Sequence, residues 1–330
     1  MKPIVSIVTP SYNQASYLEA ALRSVLEQDY QPLEYLVVDG GSTDGSQAII
    51  QQYANKLAWW ISEPDQGQAD AINKGFKKAT GEIVAWLNSD DLYLPGAVSA
   101  AVEIFEEHPE VGVVYGDAVS ANGEGRLLNE LRAASWDVLD LLQFKIICQP
   151  AVFMRRSALE AVGYLDPSYH FFLDHQLWIR LAREYRLFHQ ADFWAVSRYH
   201  PAAKNVTLAA QSGAEVYRIL EWAGNQPDLE RIIQENYHQI WSGAYAMIAR
   251  YLLDGGKPGE AFQNYTKALQ AYLPSLKNYW HRYLFSGLSV LGLGFLGKWY
   301  YSLKARRTPE ISQDPSLADW PGIQLPRCLQ

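Results

Sequence analysis

The stretch Gly81-Glu82-Ile83-Val84-Ala85-Trp86-Leu87-Asn88-Ser89-Asp90-Asp91 decides the fold. Its apolar run, Ile83 to Leu87, is too short for an independent helix and lies between Gly81 and a polar segment, so it reads as a buried strand. That strand stops on two adjacent carboxylates. Neighbouring aspartates repel one another unless a cation, several donors or open water compensates them. One reading places a divalent metal there, because hard cations such as Mg2+ or Mn2+ take carboxylate oxygens and share their other positions with a substrate's phosphates. The other reading is a solvated turn before a helix, with Asp90 or Asp91 as its N-cap ahead of Pro95.

Outward from this strand the pattern repeats. Ile4 to Val8 is a short apolar strand, broken by the turn formers Thr9-Pro10-Ser11-Tyr12-Asn13. A helix follows with Leu18, Leu22, Val25 and Leu26 on one face. Leu33 to Val38 is a second strand, ending in Asp39-Gly40-Gly41-Ser42-Thr43-Asp44-Gly45, where glycine lets backbone approach a ligand and Asp44 or Ser42 can cap the next helix. Trp59 to Ser62 is a third, ending in Glu63-Pro64-Asp65-Gln66-Gly67 ahead of a helix with Ala69, Ile72, Phe76 and Ala79 inward. Beyond Asp91 the spacing predicts a helix from Pro95 to Glu107, a strand from Val111 to Tyr115 ending at Gly116-Asp117, and a strand from Ala151 to Met154. Next come a short helix closed by Gly163 and a helix opened by Phe171 to Arg180. In the latter Asp174 sits in the first turn or cap, with Leu177, Leu181 and Tyr185 inward. A last strand runs from Phe193 to Tyr199, terminated by His200-Pro201.

Strands alternating with helices imply a parallel sheet with right-handed crossovers, whose ligand crevice lies at the carboxyl ends of the strands. Thr9-Pro10, Asp39, Asp65 and Asp90-Asp91 each follow a strand. Independent loops therefore deliver turn residues and carboxylates to one edge. A nicotinamide site would need Gly-x-Gly-x-x-Gly after the first strand, where this chain has Thr-Pro-Ser-Tyr-Asn, and a dehydrogenase is excluded.

Composition narrows the class further. The 330 residues suffice for a large domain with an appendage, and 48% hydrophobic with 19% charged residues is an ordinary globular balance. A net charge of -8 argues against a nucleic-acid partner. Two distant cysteines, Cys148 and Cys328, make neither a disulfide framework nor a thiolate metal site. The N-terminus enters a strand at once without a signal-peptide core, which predicts a cytoplasmic catalytic part. The sequon Asn205-Val206-Thr207 then carries no meaning.

After about residue 205 the alternation gives way to helices. Trp241 to Pro274, with Ala244, Ala246, Gly255, Ala261, Tyr265 and Ala268, resembles one tetratricopeptide-like hairpin, too little for a solenoid. Tyr283 to Gly297 is uncharged and is followed by Lys298, Lys304, Arg306 and Arg307. It is shorter than the roughly 20 apolar residues of a bilayer span, and reads as a buried core helix in preference to an interfacial anchor.

Residues 1 to about 205 resemble the catalytic domain of the family 2 glycosyltransferases. The resemblance rests on Val8-Thr9-Pro10-Ser11-Tyr12-Asn13, Val37-Val38-Asp39-Gly40-Gly41-Ser42-Thr43-Asp44-Gly45, Ser62-Glu63-Pro64-Asp65-Gln66-Gly67 through Asn73-Lys74-Gly75, and Leu87-Asn88-Ser89-Asp90-Asp91. Four ordered blocks are more specific than any one of them. The second and third are similar to the bacterial branch that builds surface and extracellular polysaccharides.

The resemblance implies an α/β fold of GT-A type with a mostly parallel sheet over residues 1–205, and a helical C-terminal region over 206–330. It implies an inverting transfer from a nucleotide-diphospho-sugar, a UDP-sugar foremost, to a saccharide or lipid-linked acceptor, assisted by Mn2+ or Mg2+. Thr9, Pro10, Ser11, Tyr12 and Asp39 would hold the nucleoside, and Asp65 the base or ribose. Asp91, helped by Asp90, would meet the metal, and Asp174 would be the general base. Leu173 departs from the acid that often precedes the base, and Ile72 from an arginine, which would shift phosphate contacts to Lys74 or elsewhere.

Other candidates come from position alone. His200 after the last strand is a further metal or diphosphate ligand, set against a structural role; His175 reads as structural. Trp59, Trp60 and Trp178 read as core, and Gln149 and Pro150 as acceptor-side lining. A polyprenyl-phosphate sugar synthase anchored by the 283–297 run, with peripheral contact at the inner face of the plasma membrane, is one alternative. A non-catalytic nucleotide-sugar scaffold is the other.

Overall fold

In the computed structural model the described residues are 2–200, 212–295, 317 and 320–324. The sequon at 205–207, the last two residues of the 283–297 run and the basic residues after it lie outside them. Two compact units emerge: residues 1–135, 147–199 and 308–330 form the first, and residues 136–146 and 200–307 the second.

The first unit is built around strands of which two central ones, Val5–Ser11 and Ile83–Trp86, bury every side chain. β1 (Val5–Ser11) is buried throughout, and α1 (Ala15–Leu26) covers it with Leu18, Leu22 and Val25. β2 (Leu33–Asp39), α2 (Ser46–Tyr53), β3 (Trp59–Ser62), α3 (Gln68–Lys78) and β4 (Ile83–Trp86) continue the alternation. These four strands pair in parallel in the order β3-β2-β1-β4. Gly75 lets α3 close onto β1, since a Cβ there would stand 2.3 Å from a Val8 methyl.

β1 continues through Thr9-Pro10-Ser11 instead of turning there. Its register on β2 pairs Thr9 with Val37 and Ser11 with Asp39. Val8 faces β4, which ends after accepting Val8 as a partner, so Pro10 faces a side with no further strand and its missing N–H costs no ladder bond.

After β4 the sheet becomes mixed. β5 (Leu92–Tyr93), α4 (Ala97–Glu107), β6 (Val111–Asn122), β7 (Leu127–Leu131), α5 (Val138–Leu142), β8 (Val152–Arg155), α6 (Arg156–Val162), α7 (Leu173–Glu184) and β9 (Arg186–Tyr199) follow. The order runs on as β4-β8-β6-β9-β5, with β7 on β6. β8 is antiparallel to both its neighbours, and β9 is parallel to β6.

β5 is too short to leave a periodic signal. α4 starts at Ala97 with Gly96 as its left-handed cap, so neither Asp90 nor Asp91 is an N-cap. β6 runs through Gly116-Asp117, because that glycine admits the Trp194 ring: a Cβ would lie 2.5 Å from the indole. The ladder between β6 and β9 shifts register there, as a bulge does. Tyr185 is the C-cap of α7, outside the helix.

The second unit is helical. α8 (Gly213–Gly224) buries Val216, Ile219 and Leu220, and α9 (Pro227–Glu235) starts on the proline suited to a first helical turn. α10 (Tyr237–Asp254) and α11 (Pro258–Ala271) follow, joined by a short turn. α12 (Leu276–Val290) packs on α11 through Tyr279 stacked on Tyr265, centroids 5.2 Å apart, and Tyr283 on Phe262, 5.0 Å apart. Its described apolar residues outside these contacts are not a core helix, for Leu284, Val290, Leu291, Leu293 and Phe295 are all exposed. The aromatic face of α12 satisfies the packing, which leaves the aliphatic face outside.

Candidate active site

The loops at the carboxyl end of the parallel strands hold the acidic residues. After β4 the chain turns so that the Asp91 amide donates to the Asn88 carbonyl, 3.0 Å. The Asp91 carboxylate is buried. Its Oδ1 accepts the Arg198 amide at 3.0 Å, and its Oδ2 accepts the Asn88 side-chain amide at 3.2 Å. Burial first, and the charge of Asp90 second, push its pKa well above the usual carboxylate range. The ionised form therefore calls for a positive partner.

Three elements hold Asn88 in place. Gln68 donates to its Oδ1 at 2.8 Å, and its Nδ2 donates to Gln149 Oε1 at 3.0 Å as well as to Asp91. Gln149 in turn donates to the Trp86 carbonyl at 2.8 Å. Gln149 is thus tied to the acidic turn itself.

Arg198 is a residue that sequence reasoning missed. Its guanidinium is buried, donates to the Gly322 carbonyl at 3.2 Å and lies over the Tyr17 ring, 5.5 Å from the centroid. Desolvation lowers its pKa, opposed by the charges of Asp91 and Asp90. The signal was absent because a lone arginine in a strand pattern looks like a solvent-facing residue.

The second cluster surrounds Asp39. Its Oδ2 accepts the Gly41 and Ser42 amides at 3.2 and 2.9 Å and the Ser62 hydroxyl at 2.6 Å, and its Oδ1 accepts the Ser42 hydroxyl at 2.5 Å. Being fully buried, Asp39 shapes the loop that follows β2. Gly40 then comes against Asp65 and Tyr12: a Cβ there would stand 2.5 Å from Asp65 Oδ2 and 3.2 Å from the Tyr12 ring. Asp65 Oδ1 accepts the Gly67 amide at 2.8 Å, and Tyr12 is largely exposed.

The remaining residues of the expected nucleoside loop differ. Thr9 and Pro10 are buried strand residues, and the Thr9 hydroxyl pairs with that of Tyr35 at 2.9 Å. Ser11 is buried with a hydroxyl that has no partner, at the end of β1. Lys74 pairs with Glu63 at 3.0 Å and Asp70 at 3.4 Å, and its pKa is raised chiefly by the bond to Glu63. Position 72 is a core position holding a fully buried Ile72.

Asp174 lies in the first turn of α7, where its Oδ1 accepts the His175 amide at 2.7 Å. One turn on, Trp178 stacks on Trp86 at the end of β4, centroids 5.4 Å apart. The loop before α7 is tied down where it begins. Arg180 donates to the carbonyls of Val162, Gly163 and Tyr164 at 2.7 to 2.8 Å, and Asn73 exchanges two bonds with Leu165. His200 is buried directly after β9, and Trp178 is core.

Residues 6–163 match the model of Glycosyl transferase family 2. A PGL/p-HBAD biosynthesis glycosyltransferase of Mycobacterium bovis is 32% identical over 182 residues, covering 54% of this chain and 69% of that protein. The chain belongs to glycosyl transferase family 2. It is a glycosyltransferase. An uncharacterized glycosyltransferase of Rickettsia typhi is 28% identical over 257 residues, 73% of this chain and 78% of the relative. Among solved structures, the glycosyltransferase resembles S. aureus TarS 1-349 in complex with UDP-GlcNAc, with TM-score 0.58, 18% identity, 83% of this chain and 92% of the other covered. It also resembles the mannosyltransferase PcManGT from Pyrobaculum calidifontis in complex with GDP-Man and Mn2+, with TM-score 0.60, 21% identity and coverage of 92% and 85%. The fold of the glycosyltransferase is GT-A, with a helical C-terminal region.

Among the described residues no three His, Cys, Asp or Glu side chains gather as a ready metal shell. Asp90 and Asp91 nevertheless fit a small divalent ion. Each Asp91 oxygen accepts one protein donor and keeps a lone pair, and Mg2+ or Mn2+ bound to one or two carboxylates completes its shell with phosphate oxygens and water.

Proposed function

We propose that this glycosyltransferase moves a sugar from a nucleotide-diphospho-sugar, a UDP-sugar foremost, onto a hydroxyl of a saccharide or lipid-linked acceptor, with inversion at the anomeric carbon. The single observation that carries the reading is that the acidic Asp90-Asp91 turn and the first turn of α7 are both anchored to the end of β4: the one through Asn88, Gln149 and the Trp86 carbonyl, the other through the Trp86 ring against Trp178. The complexes of TarS with UDP-GlcNAc and of PcManGT with GDP-Man and Mn2+ support the donor class. Surface or extracellular polysaccharide synthesis in the cytoplasm is the setting that the motif wording favours.

In this reading Tyr12 and Asp65 face the nucleoside on the loop that Asp39 shapes, and Ser11 offers its unpartnered hydroxyl nearby. Asp91 with Asp90 would hold a divalent ion, which when bound would supply positive charge to the departing diphosphate; His200 is the further candidate ligand. Arg198 stabilises the acidic turn from behind. Asp174 accepts the acceptor hydroxyl's proton as the acceptor oxygen bonds to the anomeric carbon and the bond from that carbon to the diphosphate breaks. The nucleoside diphosphate leaves.

A thermal-shift screen of UDP-glucose, UDP-GlcNAc and GDP-mannose, with and without Mn2+, tests the reading, because a ligand that binds only the native state stabilises it by mass action. One nucleotide-sugar should raise Tm in Mn2+ and release its nucleoside diphosphate on turnover. No shift with any of them would overturn the proposal.

A further inference from the structure

From Ala261 to Pro309 the chain contains no Asp or Glu and seven basic residues, Lys267, Lys277, Arg282, Lys298, Lys304, Arg306 and Arg307. Removing those seven from the chain's 28 basic residues leaves 21 against all 36 acidic ones, so an acidic protein carries one wholly cationic stretch. In the same stretch α12 turns its aromatic face to α11 and leaves an aliphatic face bare. Leu273, Trp280, Leu284, Val290, Leu291 and Phe295 are each between 50 and 74% exposed. Trp280, Leu284, Leu288 and Leu291 recur at intervals of four and three, which puts them on one side of the helix, with Lys277 beside them.

An exposed apolar stripe on a cation-rich, acid-free segment has the chemistry of a surface that lies in a bilayer interface. The apolar side chains enter the acyl boundary, Trp280 suits the headgroup level, and Lys277 on the same side meets anionic lipid, while Arg282 is paired with Asp254 at 2.9 Å. No described helix is long and apolar enough to cross a membrane. We infer that the exposed apolar surface from Leu273 to Phe295, with α12 at its centre, docks the glycosyltransferase on an anionic lipid bilayer. The occupant is lipid, because charge complementarity favours an anionic surface and a second copy of this chain would bring the same positive charge. This inference is independent of the transfer chemistry, since no residue of the acidic turn takes part.

The test is flotation of the full chain with phosphatidylcholine vesicles and with vesicles in which one quarter of the lipid is phosphatidylglycerol. Binding should be at least ~10-fold stronger to the anionic vesicles and should fall when salt is raised to about 0.5 M. Leu284→Glu with Leu291→Glu, both at exposed positions, should lower binding by at least ~10-fold while Tm and the nucleotide-sugar shift stay unchanged. Lys277→Glu, at an exposed position, should weaken the preference for anionic lipid. Absence of vesicle binding, or equal binding by the double glutamate variant, would overturn the inference. So would a dimer that the double glutamate variant dissociates, seen without any lipid binding.

Discussion

Trp86, the last residue of β4, stacks on Trp178 in α7 with ring centroids 5.4 Å apart and planes inclined by 25°. Phe76 closes the other side edge-on, 6.0 Å from Trp86. The stack fixes the angle at which α7 brings Asp174 to the end of β4. Trp178→Ala should therefore cost about 3–5 kcal/mol, the range for deleting a fully buried large aromatic, and should slow turnover by loosening α7. Urea unfolding measures the first effect, and a loss below ~1 kcal/mol would show that the rings do not hold the helix.

Asp174→Asn should bind the donor as the unaltered protein does, read from an unchanged nucleotide-sugar thermal shift, and turn over at least ~100-fold more slowly. The split between binding and turnover distinguishes a proton acceptor from a residue that merely caps α7. Equal turnover would assign Asp174 to the helix end alone.

Asp91→Asn replaces one acceptor oxygen with a donor facing either the Arg198 amide or the Asn88 amide. One bond turns into a contact between two donors, at a cost of about 1–3 kcal/mol. The variant should remain folded yet lose the Mn2+-dependent part of nucleotide-sugar binding. Full activity in this variant, or in excess chelator, would remove the metal from the site.

Gln149→Leu leaves the Trp86 carbonyl without its donor and Asn88 without one acceptor. The buried groups left unpaired predict a loss of about 1–3 kcal/mol. Because Asn88 also bonds Asp91, the variant should need more Mn2+ for half-maximal activity at saturating donor. An unchanged Mn2+ requirement would restrict Gln149 to a structural role.

Asp44 accepts the first amide of two helices, α1 and α2. Its Oδ2 accepts the Ala15 amide at 2.8 Å, and its Oδ1 accepts the Ser46 amide at 3.1 Å and the Ser46 hydroxyl at 2.6 Å. Desolvation alone would raise its pKa, but the bonds from Ser46 and Ala15 together outweigh it and the pKa is lowered. A carboxyl with a depressed folded pKa stabilises above its unfolded pKa, about 3.9, and loses that contribution as pH falls through the folded value. Asp44→Ala should cost about 1–2 kcal/mol at neutral pH, with the difference from the unaltered protein shrinking below about pH 4. A difference independent of pH would show that the carboxylate charge contributes nothing.

Much of the first unit was legible in the chain because its signals are local. Apolar runs at Ile7 to Val8, Leu36 to Val38 and Ile83 to Leu87, separated by helical periodicities, require buried strands with helices between them, whatever surrounds them. The loops that follow them carry Asp39, Asp65 and Asp90-Asp91 for the same reason: a parallel sheet ends every strand on one side.

What only the tertiary structure decided depends on contacts between distant residues. Strand β1 absorbs Thr9 and Pro10 because β4 is shorter than β2, a fact about neighbours and not about proline. Lys74 is drawn to Glu63 and Asp70, while Arg198, unremarkable in a strand pattern, is buried beside the acidic turn. Asp39 and Asp91 are both aspartates after strands, yet four donors surround the first, while the second has two and burial together with Asp90 pushes its pKa up. Periodicity predicts which face of a segment is apolar, but whether another part of the chain covers that face is settled by packing: α12 uses its aromatic side for α11 and leaves Leu284 and Leu291 in the open.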